Sequence, residues 1–151
     1  MTAHAVVRRV VPAGVEETFD LVHDYSRRLS WDTLLRSART VGDVPAGPGV
    51  EAVCAARWRL GGLSFRTRYV TFRRPVLAAV VLVGSPPLFA TWAASIRHRQ
   101  LPEGCSEVVY TLTFTCRPAG LARLIEPVAL AAFRWETARR LRALAAHLAA
   151  R

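Results

Sequence analysis

The chain has 151 residues and a mass of 16.6 kDa; 52% of its residues are hydrophobic, 21% are charged, and its mean hydropathy is +0.20. That describes a single domain over residues 1–151 with enough apolar surface to offset the entropy of ordering, which excludes a disordered chain. The formal net charge is +10, carried by 21 basic residues of which every one is Arg, so anions are natural contacts; the longest apolar run, residues 76–83, is far short of the ~20 residues a membrane helix needs.

The first residues show no basic segment leading into an apolar one, so no signal peptide is expected and the cytoplasm is the expected compartment. Residues 4–11 are β-branched and end at Pro12-Ala13-Gly14, the pattern of a strand. Residues 15–24 follow as a short helix, with Val15, Phe19 and Val22 on one face, Glu16 and Glu17 at the positive end of the dipole, and Gly14 as N-cap. A second short helix or turn runs from Tyr25 to Asp32, then a strand over residues 34–41 and a loop over residues 42–49.

Residues 50–60 alternate, with Ala52, Cys54, Ala56, Trp58 and Leu60 on one side. Gly61-Gly62 reads as a two-residue hairpin turn, which sets Trp58 opposite Phe65, Cys54 opposite Tyr69 and Arg57 opposite Arg66. Residues 76–83 form an apolar strand, broken at Gly84-Ser85-Pro86-Pro87. Residues 89–100 and 105–117 make a second hairpin about Glu103, with Trp92 opposite Phe114, Ile96 opposite Tyr110, His98 opposite Val108 and Arg99 opposite Glu107. After Arg117-Pro118-Ala119-Gly120, residues 121–150 are helical. Pro127 kinks this helix or opens its main segment. Leu130, Phe133, Thr137, Leu141, Leu144 and Leu148 form a buried stripe, with Arg140 off it. Val128, Ala131, Ala132 and Trp135 form a second apolar face, a surface for homodimerisation.

The pattern is α+β: a curved antiparallel sheet of about seven strands, two short helices after the first strand, and a long C-terminal helix that must cover the apolar face. Small inward residues (Ala52, Cys54, Ala56, Thr67, Ala94) alternate with aromatic ones (Trp58, Phe65, Tyr69, Trp92, Tyr110, Phe114). They fit either a solid interdigitated core or an apolar cavity with a few polar groups, and the cavity is carried forward. Its ligand contacts are then Trp58, Phe65, Tyr69, Trp92, Tyr110 and Phe114, with Trp135 on the last helix as a gate.

Element order and several segments resemble the START-like, helix-grip superfamily (SRPBCC, Bet v 1-like), and its polyketide cyclase/dehydrase branch most. The segments are the opening strand followed by Pro12-Ala13-Gly14-Val15-Glu16-Glu17-Thr18-Phe19-Asp20-Leu21-Val22-His23-Asp24, then Tyr25-Ser26-Arg27-Arg28-Leu29-Ser30-Trp31-Asp32, Val70-Thr71-Phe72-Arg73-Arg74-Pro75, and Glu107 to Phe114 leading through Arg117-Pro118-Ala119-Gly120-Leu121 into the last helix. The resemblance covers nearly the whole chain and implies a cavity between sheet and last helix for hydrophobic or polycyclic ligands. It also implies a pocket-mouth role for Trp31.

The leading expectation is therefore non-covalent binding of a polyketide- or lipid-like molecule. The alternative is an aromatase/cyclase in which His98, Arg73, Tyr69 and Tyr110 move protons or hold an enolate. A third reading, anion or nucleic-acid binding through Arg57, Arg59, Arg66, Arg68, Arg97 and Arg99, ranks last because no exposed aromatic platform accompanies them. No cofactor is expected. His4, His23, His98 and His147 lack metal-ligand spacing, and Cys54, Cys105 and Cys116 fit no disulfide framework.

Overall fold

A computed structural model describes residues 3–84, 89–117 and 119–151. Seven strands form one antiparallel sheet: β1 (Ala3–Val11), β2 (Leu35–Thr40), β3 (Glu51–Ala56), β4 (Ser64–Arg73), β5 (Leu77–Val83), β6 (Phe89–Gln100) and β7 (Ser106–Cys116). Their spatial order is β1-β7-β6-β5-β4-β3-β2. Helix α1 (Val15–Val22) and a single turn at Arg28–Ser30 follow β1, and α2 (Ala119–Ala149) closes the chain. The curled sheet gripping a long helix is the arrangement the residue pattern called for. The expected chain break after Gly84 and the residue Pro118 lie outside the described residues.

The β6–β7 hairpin has the register read from the sequence, including Trp92 opposite Phe114, His98 opposite Val108 and Arg99 opposite Glu107. All six inward residues of β7 are buried and all five outward ones are half-buried, the period-two pattern of a sheet covered on one face. The β3–β4 hairpin differs. Its strands end at Ala56 and begin again at Ser64, with a helical turn over Trp58–Leu60 between them. Cys54 therefore faces Phe65, not Tyr69, and Arg66 faces Val53, not Arg57. Arg66 and Arg68 both pair with Glu51. The slip is an even number of residues, so the inward residues that remain in the strands stay inward; Trp58 and Leu60 leave the sheet with the helical turn. The Trp58 ring lies over Gly62, where a Cβ would come within 2.4 Å, and Gly62 has φ +64°, a conformation glycine adopts without strain.

Helix α1 buries Thr18, Phe19, Leu21 and Val22. Gly14 caps it without a side chain, and the Val15 amide donates to Gln100 Oε1 at 3.0 Å, so β6 completes the cap. Helix α2 continues unbroken through Pro127 and packs chiefly on β1 and β7. Leu141, Leu144 and Leu148 are buried against the sheet. Phe114 is sealed between Phe89 and Phe133, with ring centroids 5.8 and 5.2 Å away.

Candidate functional site

Two polar clusters are buried inside the grip. The first joins α2 to the turn after α1. Asp32 is almost wholly buried and accepts Arg28 Nε at 2.8 Å and a two-pronged contact from Arg140, Nε at 3.0 Å and Nη2 at 2.9 Å. The Leu34 amide donates to the same carboxylate, and Arg28 Nη1 donates to the Val22 carbonyl. Burial alone would raise the Asp32 pKa, but Arg140 and Arg28 outweigh it and hold the carboxyl at about 2. Burial would likewise lower both guanidinium values, and Asp32 reverses this, so both are raised. The guanidinium faces rest on aromatic rings: Arg28 on Trp31 and Tyr25, Arg140 on Tyr110.

The second cluster carries no charge. His23, four residues after Phe19 and on the same buried arc, shares a 2.7 Å hydrogen bond with the Tyr69 hydroxyl through Nδ1. Tyr69 shares a second, at 3.1 Å, with Tyr25. A chain in which Tyr25 donates to Tyr69 and Tyr69 donates to Nδ1 leaves the proton on His23 Nε2. That nitrogen has no hydrogen-bond partner among the described residues. His98 stands 6.5 Å from His23, ring to ring, with Phe19 against both. It is 3% exposed, and neither of its ring nitrogens has a partner among the described residues. Burial lowers the His98 pKa to about 4. Burial, aided by Arg28 and His98, pushes His23 well below its usual range, and burial raises Tyr69 and Tyr25. Near neutral pH the cluster is thus a set of uncharged donors and acceptors.

Two spaces adjoin these clusters. Beneath α2, a gap of about 10 Å³ is lined by Trp31, Arg28, Tyr110, Arg140, Ile96, Val108, Val22 and Leu141, room for about one water molecule. A groove of about 710 Å³ opens between the end of α1, the β2–β3 connection and the end of β4. Phe19, His23, Tyr25 and Phe72 line it, and Asp20, Asp24, Asp43, Arg39 and Arg74 are among its polar residues. Arg74 is held by Asp20 through two contacts of 2.7 and 2.8 Å.

The residues expected to touch ligand therefore separate. Trp31 and Tyr110 line the small gap, and Trp31 is buried, not at a mouth. Tyr69 lies behind His23 and Tyr25. Phe65 and Trp92 are half-buried on the concave face, 6.4 Å apart. Phe114 is core. Trp58 is 75% exposed beneath the Arg36 guanidinium, 4.0 Å from its centroid, and Trp135 is 59% exposed on the outside of α2. His98, a proton-moving candidate of the cyclase alternative, is buried and is not among the residues lining either space. Arg73 is exposed and lines neither space; its neighbour Arg74 lines the groove. Arg57 and Arg59 leave the sheet with the loop, and Glu107 draws in Arg99 and Arg8, so the expected basic face is interrupted. His23, Tyr25, Arg28, Asp32 and Arg140 were missed. The spacing of His23 from Phe19, and of Arg140 from Thr137 and Leu144, placed both on buried helical arcs, and that signal was available.

No curated protein matches the chain in sequence. Solved structures match its fold. The Zhui aromatase/cyclase from Streptomyces sp. R1128 superposes with a TM-score of 0.79 at 13% identity over 98% of this chain and 94% of its own. A START superfamily protein from Mycobacterium smegmatis gives 0.73 at 14% identity, covering 97% of both chains. Truncated norcoclaurine synthase from Thalictrum flavum gives 0.72 at 10% identity over 96% and 92%. The family described as polyketide cyclase/dehydrase and lipid transport matches residues 2–149. With the helix-grip fold and that match across almost its full length, the chain belongs to the polyketide cyclase/dehydrase and lipid transport family.

Proposed function

We propose that the chain binds a partly apolar small molecule, polyketide- or lipid-like, without covalent chemistry, and that its polar end is held by His23 and Tyr25 on the floor of the groove. The observation that carries this reading is the uncharged Tyr25–Tyr69–His23 chain at the groove, ending in a ring nitrogen with no partner among the described residues. A buried polar atom without a partner costs free energy, and a ligand carbonyl or phenol offers it one. Phe19 and Phe72 supply apolar wall, and the groove volume falls in the range of small-molecule sites. Because the groups are neutral, they favour oxygen-bearing neutral ligands over strong anions. The gap beneath α2, the space first expected, is too small for such a guest, and the groove takes it instead.

A second reading uses the same groups in the opposite tautomer, with His23 Nδ1–H donating to Tyr69 and Tyr69 donating to Tyr25: an aromatase/cyclase in which the bare Nε2 of His23 accepts a proton while the Tyr25 hydroxyl donates to a carbonyl. Fluorescence titration with a hydroxyanthraquinone separates binding from no binding. His23→Leu and Tyr25→Phe are each expected to weaken binding about fivefold or more, by the loss of one hydrogen bond. Unchanged affinity in both variants contradicts the proposed site. Turnover of a poly-β-ketone that is lost in the same variants establishes the cyclase.

A further inference from the structure

Helix α2 is apolar on two opposite sides. One faces the sheet. On the other, Leu121, Leu124, Val128 and Trp135 are 50, 74, 71 and 59% exposed, and Ala131 between them is exposed as well. Their spacing of three, four, three and four residues confines them to about 80° of helical arc. A contiguous stripe of this kind on a water-facing helix marks a docking surface.

The charges beside the stripe say what docks there. The helix contains two acidic residues, and both turn inward: Glu126 accepts the Cys116 amide at 3.1 Å, and Glu136 is buried beside Arg139. Its exposed charged residues are Arg123, Arg134 and Arg142. Two copies pairing through the stripe would bring these arginines together with no exposed carboxylate on either helix to offset them. An anionic surface gives each of them a partner. A tryptophan beside exposed leucines and arginines is the composition of a helix lying at a water–lipid boundary.

We propose that the outer face of α2 docks the protein flat on an anionic lipid surface, with Leu121, Leu124, Val128 and Trp135 entering the headgroup region and Arg123, Arg134 and Arg142 meeting lipid charges. The inference does not depend on the groove ligand.

The test is sedimentation of the full chain with vesicles of phosphatidylcholine alone and of equal parts phosphatidylcholine and phosphatidylglycerol. The chain sediments with the anionic vesicles and far less with the neutral ones, and added salt releases it. The blue shift of tryptophan emission on binding is lost in Trp135→Phe and kept in Trp58→Phe. Leu124→Glu, at an exposed position, keeps the wild-type melting temperature and lowers vesicle affinity about tenfold or more; Arg134→Gln lowers it about fivefold on anionic vesicles only. Failure to sediment with either vesicle overturns the proposal. So does Leu124→Glu binding as well as wild type, which assigns the contact to the sheet arginines, or a wild-type dimer that Leu124→Glu dissolves, which assigns the stripe to a second copy.

Discussion

The Arg28–Asp32–Arg140 cluster and the His23–Tyr25–Tyr69–His98 cluster lie in the same grip and are buried to a similar degree, yet they are built oppositely. The first is charged, and its carboxylate oxygens are fully used: Asp32 accepts from two guanidinium groups and a backbone amide. The second is neutral and under-used, with three imidazole nitrogens left unpartnered among the described residues. Charge inside a protein is tolerable only when paired, so the first cluster is a staple between α2 and the turn after α1. Neutral polar groups can be left short of partners at smaller cost, so the second is the one free to meet a ligand.

The largest expected effect lies at the staple. Asp32→Asn leaves two buried guanidinium groups without their carboxylate and is expected to cost about 3–5 kcal/mol in denaturant unfolding. A loss below about 1 kcal/mol would erase the contrast. Next comes acidification. His98 has a folded-state pKa of about 4, below its ordinary value of 6.5, so the unfolded chain takes up the proton first. The stability it contributes is present above pH 6.5 and declines as pH falls through 4, a loss of about 2 kcal/mol by pH 5. His23 shifts in the same direction and adds to it. Asp32, held at about 2, keeps its contribution above its ordinary value of 3.8 and loses it only as pH falls through 2. The decline between pH 7 and 5 thus belongs to the histidines, and His98→Phe is expected to flatten it. An unchanged slope in that variant would place the titrating groups elsewhere. The smallest effect is Tyr69→Phe, which unlinks His23 from Tyr25 and is expected to cost about 1–2 kcal/mol, with Asp32 and its partners undisturbed. Tyr25 touches both Tyr69 and Arg28, so any departure from additivity in the double variant with Asp32→Asn measures the coupling of the two clusters through that ring.

The sequence revealed more of the fold than of the site. The β6–β7 register could be read because both strands are long and alternate cleanly about one tight turn. The β3–β4 register could not, because Trp58–Leu60 wind into a helical turn that alternation does not announce; the even slip preserved the inward faces and hid the error. Aromatic residues drew attention as ligand contacts, but size alone does not tell a sealed ring (Phe114) from an exposed one (Trp58, Trp135). The polar clusters were harder still. Arg28, Asp32 and Arg140 meet only after α2 folds back across 108 residues of chain, and charged residues on a helix are ordinarily solvent-facing. Tyr69 was legible as inward and His23 lay on the arc of Phe19, but their link through Tyr25 was not legible, since Tyr25 sits in the turn after α1.

The most direct test is to follow the imidazole resonances of His23 and His98 by NMR as a hydroxyanthraquinone is added at neutral pH. Saturable movement of His23, with the Trp31 indole and Tyr110 ring resonances left in place, is the expected result. Saturable movement of Trp31 and Tyr110 with His23 unmoved would put the guest beneath α2 and contradict the assignment of the groove.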